Sequence, residues 1–293
     1  MIISVSRRCD IPRFQFDWFM ERLDTGFVDV PNPFNRKQLR RVSLSPGDEA
    51  EDAQVLIFWT RDPRPILERG TELEERGHRF CVMTTLTTYP ALLEPNPPPT
   101  EAVIAAMREL SDRFGPKRII WRYDPVLLSN ITDAAFHLRN FKALANSLSG
   151  AVSRVIISVY DEYAAAKRRL AALEQGGAFR VLPHYAGEGP GTELLPKLRG
   201  ELRCMWRTLL ARLAETAADA GMTMQSCAEA EDMTNLGIIP GACIDGELIR
   251  KLWGIEAAGK DKNQRPHCRC ALSADIGSYG PCPAGCVYCY ARR

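Results

Sequence analysis

Along the chain, short apolar runs alternate with stretches whose apolar residues recur every three or four positions. The runs at 2–6, 27–30, 55–60, 80–87, 118–123, 154–160 and 222–227 are rich in Val, Ile, Phe and Thr and too short for helices, which predicts strands. Segments 14–23, 101–114, 134–148 and 195–221 place apolar residues at helical spacing, and the last closes on Gly221. Strand followed by helix, repeated around seven strands, is the pattern of a parallel sheet and predicts an α/β fold: a full or incomplete (β/α) barrel of the TIM type. Two stretches interrupt the rhythm. Residues 94–101 form a proline-stiffened loop with Thr100 expected as a helix N-cap, and 178–196 are expected to make an excursion over one face. After Gly237 the alternation fades. The expected division is a barrel at 1–236 and a cysteine-rich iron–sulfur tail at 237–293, folded over the barrel mouth.

Composition narrows the partners. A hydrophobic content of 45% with 25% charged residues belongs to a folded globular chain, and a formal net charge of +2 provides no broad field for polyanions. Nucleic acid is therefore left open as a partner, through a local patch only. The N-terminus reaches Arg7, Arg8 and Asp10 before any signal-like apolar run, and no later run has membrane-spanning length. A cytoplasmic protein without a membrane partner is expected.

In a parallel barrel the chemistry sits at the C-terminal ends of the strands. Those ends carry Arg7 and Asp10, Asn32 to Asn35, Arg61 and Asp62, Thr84 to Tyr89, Arg122 and Asp124, Asp161, and Cys227 with Glu229. Arg7, Asp10, Arg61, Asp62, Arg122 and Asp124 are the candidate catalytic residues. Arginine forks bind carboxylate and phosphate bidentately, so several at one mouth point to a small anionic or nucleotide-like substrate. Of the four histidines, His78, His137, His184 and His267, none pairs with another at metal-ligand spacing.

Ten cysteines in a chain without a secretion signal point to metal binding before disulfides. Seven of them fall in the final quarter and divide into four plus three. Cys268 and Cys270 form a Cys-x-Cys pair that Cys227 and Cys243 complete to a four-thiol site, suited to zinc or to a second [4Fe-4S] cluster. Cys282, Cys286 and Cys289 have C-x3-C-x2-C spacing, with Tyr288 before the last cysteine. A [4Fe-4S] cluster on three cysteines leaves one iron open to a chelating ligand.

That motif resembles the cluster loop of the radical S-adenosylmethionine enzymes, and the wider CPAGCVYCYAR looks like the loop of the spore photoproduct lyase branch. The resemblance implies that the open iron chelates S-adenosylmethionine, that a flavodoxin or ferredoxin supplies an electron, and that the sulfonium is cleaved to methionine and a 5′-deoxyadenosyl radical. Here the loop follows the barrel instead of its first strand, and no glycine-rich cofactor contact transfers. Over nearly its full length, through MIISVSRRCDIP, VPNPFN, FWTRDP, WRYDPV, SCAE, ACIDGELI and KNQRPHCRCALSADIGSYGPCPAGCVYCYA, the chain is similar to a bacterial family catalogued as domain of unknown function 1848. The leading expectation is an iron–sulfur enzyme of the radical S-adenosylmethionine type. The alternatives are a barrel hydrolase or lyase with purely structural thiol sites, and a non-catalytic electron-transfer protein.

Overall fold

The structure, a computed structural model, describes residues 1–32, 35, 37–182 and 196–292. Its centre is an eight-stranded parallel sheet in the order β10-β1-β4-β5-β6-β7-β8-β9. The strands are β1 (Ile2–Val5), β4 (Val55–Thr60), β5 (Phe80–Thr85), β6 (Ile119–Val126), β7 (Arg154–Val159), β8 (Thr223–Cys227), β9 (Ile238–Gly241) and β10 (Ala274–Asp275). The remaining two, β2 (Phe27–Pro31) and β3 (Leu39–Ser43), pair with each other as an antiparallel hairpin. The order follows the sequence from β1 to β9, and β10 returns to the free side of β1. Between β9 and β10 no ladder is formed among the described residues.

Both faces of the sheet are covered, which explains why β4 and β7 are predominantly apolar: every residue of each is buried. One face, with Ile3, Val5, Leu56, Phe58, Val82 and Trp121, packs on helices α2 (Phe16–Thr25), α3 (Arg64–Glu75), α4 (Thr100–Phe114), α5 (Ala134–Leu148) and α7 (Pro196–Asp219). The other face is formed by Ile2, Val55, Ile57, Trp59, Cys81, Met83, Ile120 and Ile156. It packs on Cys243, Ile244, Ile249, Ile255, Cys268, Cys270 and Ala271. The four-residue α1 (Ile11–Phe14) and the helix α6 (Ala164–Gln175) follow the ends of β1 and β7, and α8 (Gly246–Trp253) belongs to the segment on the second face.

Three expectations need correction. The run at 27–30 is not a strand of the main sheet; its buried and exposed positions alternate, as suits a hairpin covered on one side. Thr100 is the first residue of α4 and caps nothing, since Pro99 stands at the N-cap without a side-chain bond. Residues after 237 do not abandon the alternation, because β9, α8 and β10 all lie there, and the two strands extend the same sheet. Pro33, Phe34, His184 and most of the expected excursion at 178–196 lie outside the described residues.

A buried histidine makes the fold sensitive to acid. His137 of α5 is fully buried, with Nε2 donating to the Leu127 carbonyl at 3.1 Å and Nδ1 accepting from the Tyr123 hydroxyl at 2.9 Å. Burial lowers its pKa from 6.5 to about 4. The folded value lies below the unfolded one, so the unfolded chain binds the extra proton. This contribution is complete above pH 6.5 and is lost as pH falls toward 4. The shift corresponds to about 3 kcal/mol. Urea unfolding at pH 7 and pH 4.5 is expected to show His137→Gln losing less stability on acidification than the parent; an equal loss in both proteins would remove His137 from the account.

Candidate functional site

Parallel pairing places the C-terminal ends of all eight strands along one edge, and the residues after those ends come together there. Not all of them are available for chemistry. Asp10 caps α1, accepting from Arg13 N at 3.1 Å, Thr60 Oγ1 at 2.7 Å and Arg61 N at 2.8 Å. Asp62 is committed to Arg64, through Nε at 2.8 Å and Nη2 at 2.6 Å; burial raises its pKa, but these bonds hold it below the usual carboxylate range. Asp124 accepts from Arg122 and from Ser158 Oγ.

Arg61 is held in a buried network. Its Nη2 meets Glu94 Oε2 at 2.5 Å and Thr87 Oγ1 at 3.0 Å, and Nη1 donates to Tyr288 Oη at 3.1 Å. Tyr288 in turn donates to Glu94, which is 1% exposed. A residue two places from Cys286 is thereby fastened to the ends of β4 and β5.

Further contacts seat the same segment. Tyr290 donates to the Arg7 carbonyl at 3.0 Å, and Asn96 Nδ2 donates to the Pro283 carbonyl at 2.9 Å. Arg169 of α6 donates to the carbonyls of Val287 and Arg292 at 2.9 Å and to that of Cys289. Gly285 has φ +72°, and a Cβ there would stand 2.9 Å from Pro95 Cγ, so only glycine fits without displacing the proline loop. Within this seat Cys282, Cys286 and Cys289 lie in electrostatic range of one another. Burial pushes Cys282 up and Cys286 up to about 11; a nearby Arg61 opposes the second shift.

Asp275 is the joint between the two ends of the chain. Its Oδ2 accepts from Ser4 Oγ and Arg7 N, both at 2.8 Å, and its Oδ1 from Ser6 Oγ at 2.7 Å and Gly277 N at 3.0 Å. Arg7 and Arg8 pair with it at 3.6 and 3.8 Å. A Cβ on Gly277 would fall 1.9 Å from Ser6 Oγ, a measure of how closely the two segments approach.

The other four thiols meet beside these arginines. Cys243 Sγ lies 3.3 Å from Cys227 Sγ and is also hydrogen-bonded to Cys270, which is bonded to Cys268. Bonds from Cys243 and Cys268 hold the Cys270 thiol low; Cys243 likewise lowers Cys227 and is itself pushed up. Arg7 and Arg122 act on this set electrostatically, and both also act on Tyr290, which in turn is in range of Cys289. The Arg7 and Arg122 guanidiniums lie 6.0 and 4.9 Å from the Trp59 ring centroid. Arg122 Nε and Trp59 Nε1 are buried without a hydrogen-bond partner among the described residues.

A surface cavity of about 350 Å³ reaches one of the four thiols, Cys268, and is lined by Glu229, Asp232, Lys260, His267 and Arg269 among others. Burial raises Glu229 to about 7, although Val159 N donates to it at 2.9 Å. Glu94, Asp275, Tyr290 and Arg169 were not among the expected site residues. Glu94 opens the proline loop and Asp275 sits in a run of small residues, so neither carried a pattern. No helix among the described residues is long and apolar enough to cross a membrane.

No curated protein matches the chain. The arrangement just described draws on β1 at one end and on Tyr290 at the other, and one family model spans both: it matches residues 2–291, and the chain belongs to the family it describes, Domain of unknown function (DUF1848).

Proposed function

We propose that the chain is an iron–sulfur enzyme of the radical S-adenosylmethionine type, acting on a small anionic substrate held at the strand-end edge. The observation that carries this reading is the seating of Cys282, Cys286 and Cys289. Three free thiols share one loop, and the tyrosines flanking Cys289 bond to Arg61, Glu94 and the Arg7 backbone.

The donor set fits a cubane with one open iron. Three thiolates bring negative charge; the Arg169 guanidinium near Cys289 offsets part of it, while Arg61 near Cys286 is already matched by Glu94. When bound and reduced, such a cluster would supply the electron that cleaves the sulfonium of S-adenosylmethionine. The remaining work belongs to side chains of the chain itself. Arg7, Arg122 and Trp59 lie between the loop and the sheet interior, and the unpartnered Arg122 Nε and Trp59 Nε1 are donors suited to a carboxylate or phosphate. Asp10 and Asp62 position this edge instead of touching substrate, because their carboxylates already bond within the protein; Arg61 is paired with Glu94, and its Nε is without a partner among the described residues.

In this reading the sheet closes into a barrel, with β9 and β10 meeting at the seam; the all-parallel order, with β10 beside β1, supports it. Residues 1–236 supply most of the barrel wall, and 237–293 add its last two strands, β9 and β10, and fold back over its mouth. A flavodoxin or ferredoxin is the proposed electron donor.

Anaerobic reconstitution is expected to load one cubane's worth of iron and acid-labile sulfide, lost when Cys282, Cys286 and Cys289 are replaced together. The loaded protein, reduced with dithionite and given S-adenosylmethionine, is expected to form 5′-deoxyadenosine. Arg122→Lys keeps the charge but loses the fork, so it should lower turnover at constant iron content. A fully loaded, reduced protein that yields no 5′-deoxyadenosine would remove the radical mechanism.

A further inference from the structure

The four thiols outside the terminal loop come from three segments. Cys227 ends β8, Cys243 follows β9 by two residues, and Cys268 and Cys270 precede β10. Cys243 and the Cys268–Cys270 pair thus adjoin the two sheet edges, β9 and β10, that share no ladder, and Cys227 ends the strand next to β9. All four cysteines are free, and Cys243, Cys268 and Cys270 are buried. Two backbone amides point at the sulfurs: Ile244 N donates to Cys270 Sγ at 3.4 Å, and Cys270 N to Cys268 Sγ at 3.5 Å. Amides aimed at sulfur are the outer contacts that orient thiolates toward a metal. Arg7 and Arg122 lie close enough to balance a multiply charged thiolate set.

From this geometry we infer that Cys227, Cys243, Cys268 and Cys270 form a second site, which binds a single soft metal ion, zinc, through four thiolates. Among the described residues no group of three or more His, Cys, Asp or Glu side chains is placed to hold a metal ion as it stands, so the thiols must shift to bind one. For Cys227 and Cys243 the distance to be covered is small. Zinc–sulfur bonds of about 2.3 Å in a tetrahedron set neighbouring sulfurs about 3.8 Å apart. The Cys227 and Cys243 sulfurs, at 3.3 Å, need spread only by roughly half an ångström once their protons leave.

Size selects the single ion over a cubane. Four irons and four sulfides would have to enter between sulfurs now in contact, and the ends of β8 and β9 would have to part from the 268–270 loop. One ion bound here staples the β9 edge to the segment leading into β10, across the gap in the strand order. The inference stands independently of the radical mechanism, because it concerns different cysteines.

The test uses the full chain with Cys282, Cys286 and Cys289 replaced by serine, which removes the other thiol group. Purified anaerobically with zinc supplied, this variant is expected to hold about one zinc per chain and no sulfide. Adding Cys268→Ser and Cys270→Ser should bring zinc to background and open cleavage sites beyond residue 240 to thermolysin. Should the five-fold variant fail to fold, cobalt replaces zinc in the three-fold variant, where intense thiolate-to-cobalt charge-transfer bands are expected. Iron with sulfide in the three-fold variant would overturn the single-ion assignment. Absence of both zinc and the cobalt bands from a folded three-fold variant would overturn the site itself.

Discussion

Replacing Asp275 with alanine is expected to lower the unfolding free energy by about 3–5 kcal/mol, the range for a buried ionic group whose partners stay behind. The carboxylate is 5% exposed and is met by four hydrogen-bond donors besides the two guanidiniums. Alanine would leave Ser4 and Ser6 hydroxyls and two backbone amides without an acceptor in a space too small to hydrate freely, and Arg7 and Arg8 without a counter-charge. Asp275→Asn keeps the shape but turns one acceptor into a donor facing another donor, and should cost about 1–3 kcal/mol. The effect should also be local before it is global. The β1–β10 ladder contains only two residue pairs, Ile3 with Ala274 and Ser4 with Asp275, so the carboxylate is the main anchor of that edge. Urea midpoints measure the first effect, and hydrogen exchange at the amides of Asp275 to Gly277 measures the second. An alanine variant within about 1 kcal/mol of the parent would show that the joint is hydrated and contributes little.

The contrast between what the residues declared and what they hid follows from burial. β4 and α5 coincide with the expected runs at 55–60 and 134–148. The first is apolar on both faces, and the second has a periodic apolar stripe and an Asp133 cap. The short edges had no such signal. β9 contains Pro240, β10 is two residues long, and β3 exposes Leu39, Arg40 and Arg41, so none repeats an apolar pattern long enough to read. At the strand ends the identities of Arg7, Arg61 and Arg122 were visible, but their occupations were not. Whether an arginine faces a ligand or a carboxylate of its own chain depends on contacts as distant in sequence as Arg61 to Glu94 and Arg7 to Asp275. The cysteines differ, because the close spacing of Cys268 with Cys270, and of Cys282, Cys286 and Cys289, forces proximity within each set. That grouping along the chain recurs as a grouping in space.

Glu94→Gln should be the second large effect, and it reaches the terminal thiols. Glu94 is the sole carboxylate bonded to the Arg61 guanidinium among the described residues, and the two share Tyr288. Removing its charge leaves an arginine with an 11% exposed side chain facing a neutral amide, with an expected loss of about 3–5 kcal/mol. If the pair acts as a unit, Arg61→Met on top of Glu94→Gln should cost far less than the sum of the two single changes. Coupling of up to about 3 kcal/mol is expected for residues in contact. The same cycle separates anchoring from bulk stability. Tyr288 adjoins Cys289, so on the proposed iron–sulfur reading, losing its two partners should weaken iron retention by the terminal loop even in the double variant whose stability is partly restored. Iron counted after gel filtration, beside urea midpoints for all four proteins, reads both quantities. Additive stability losses with undiminished iron would mean that Arg61, Glu94 and Tyr288 only fill space beneath the loop and do not hold it.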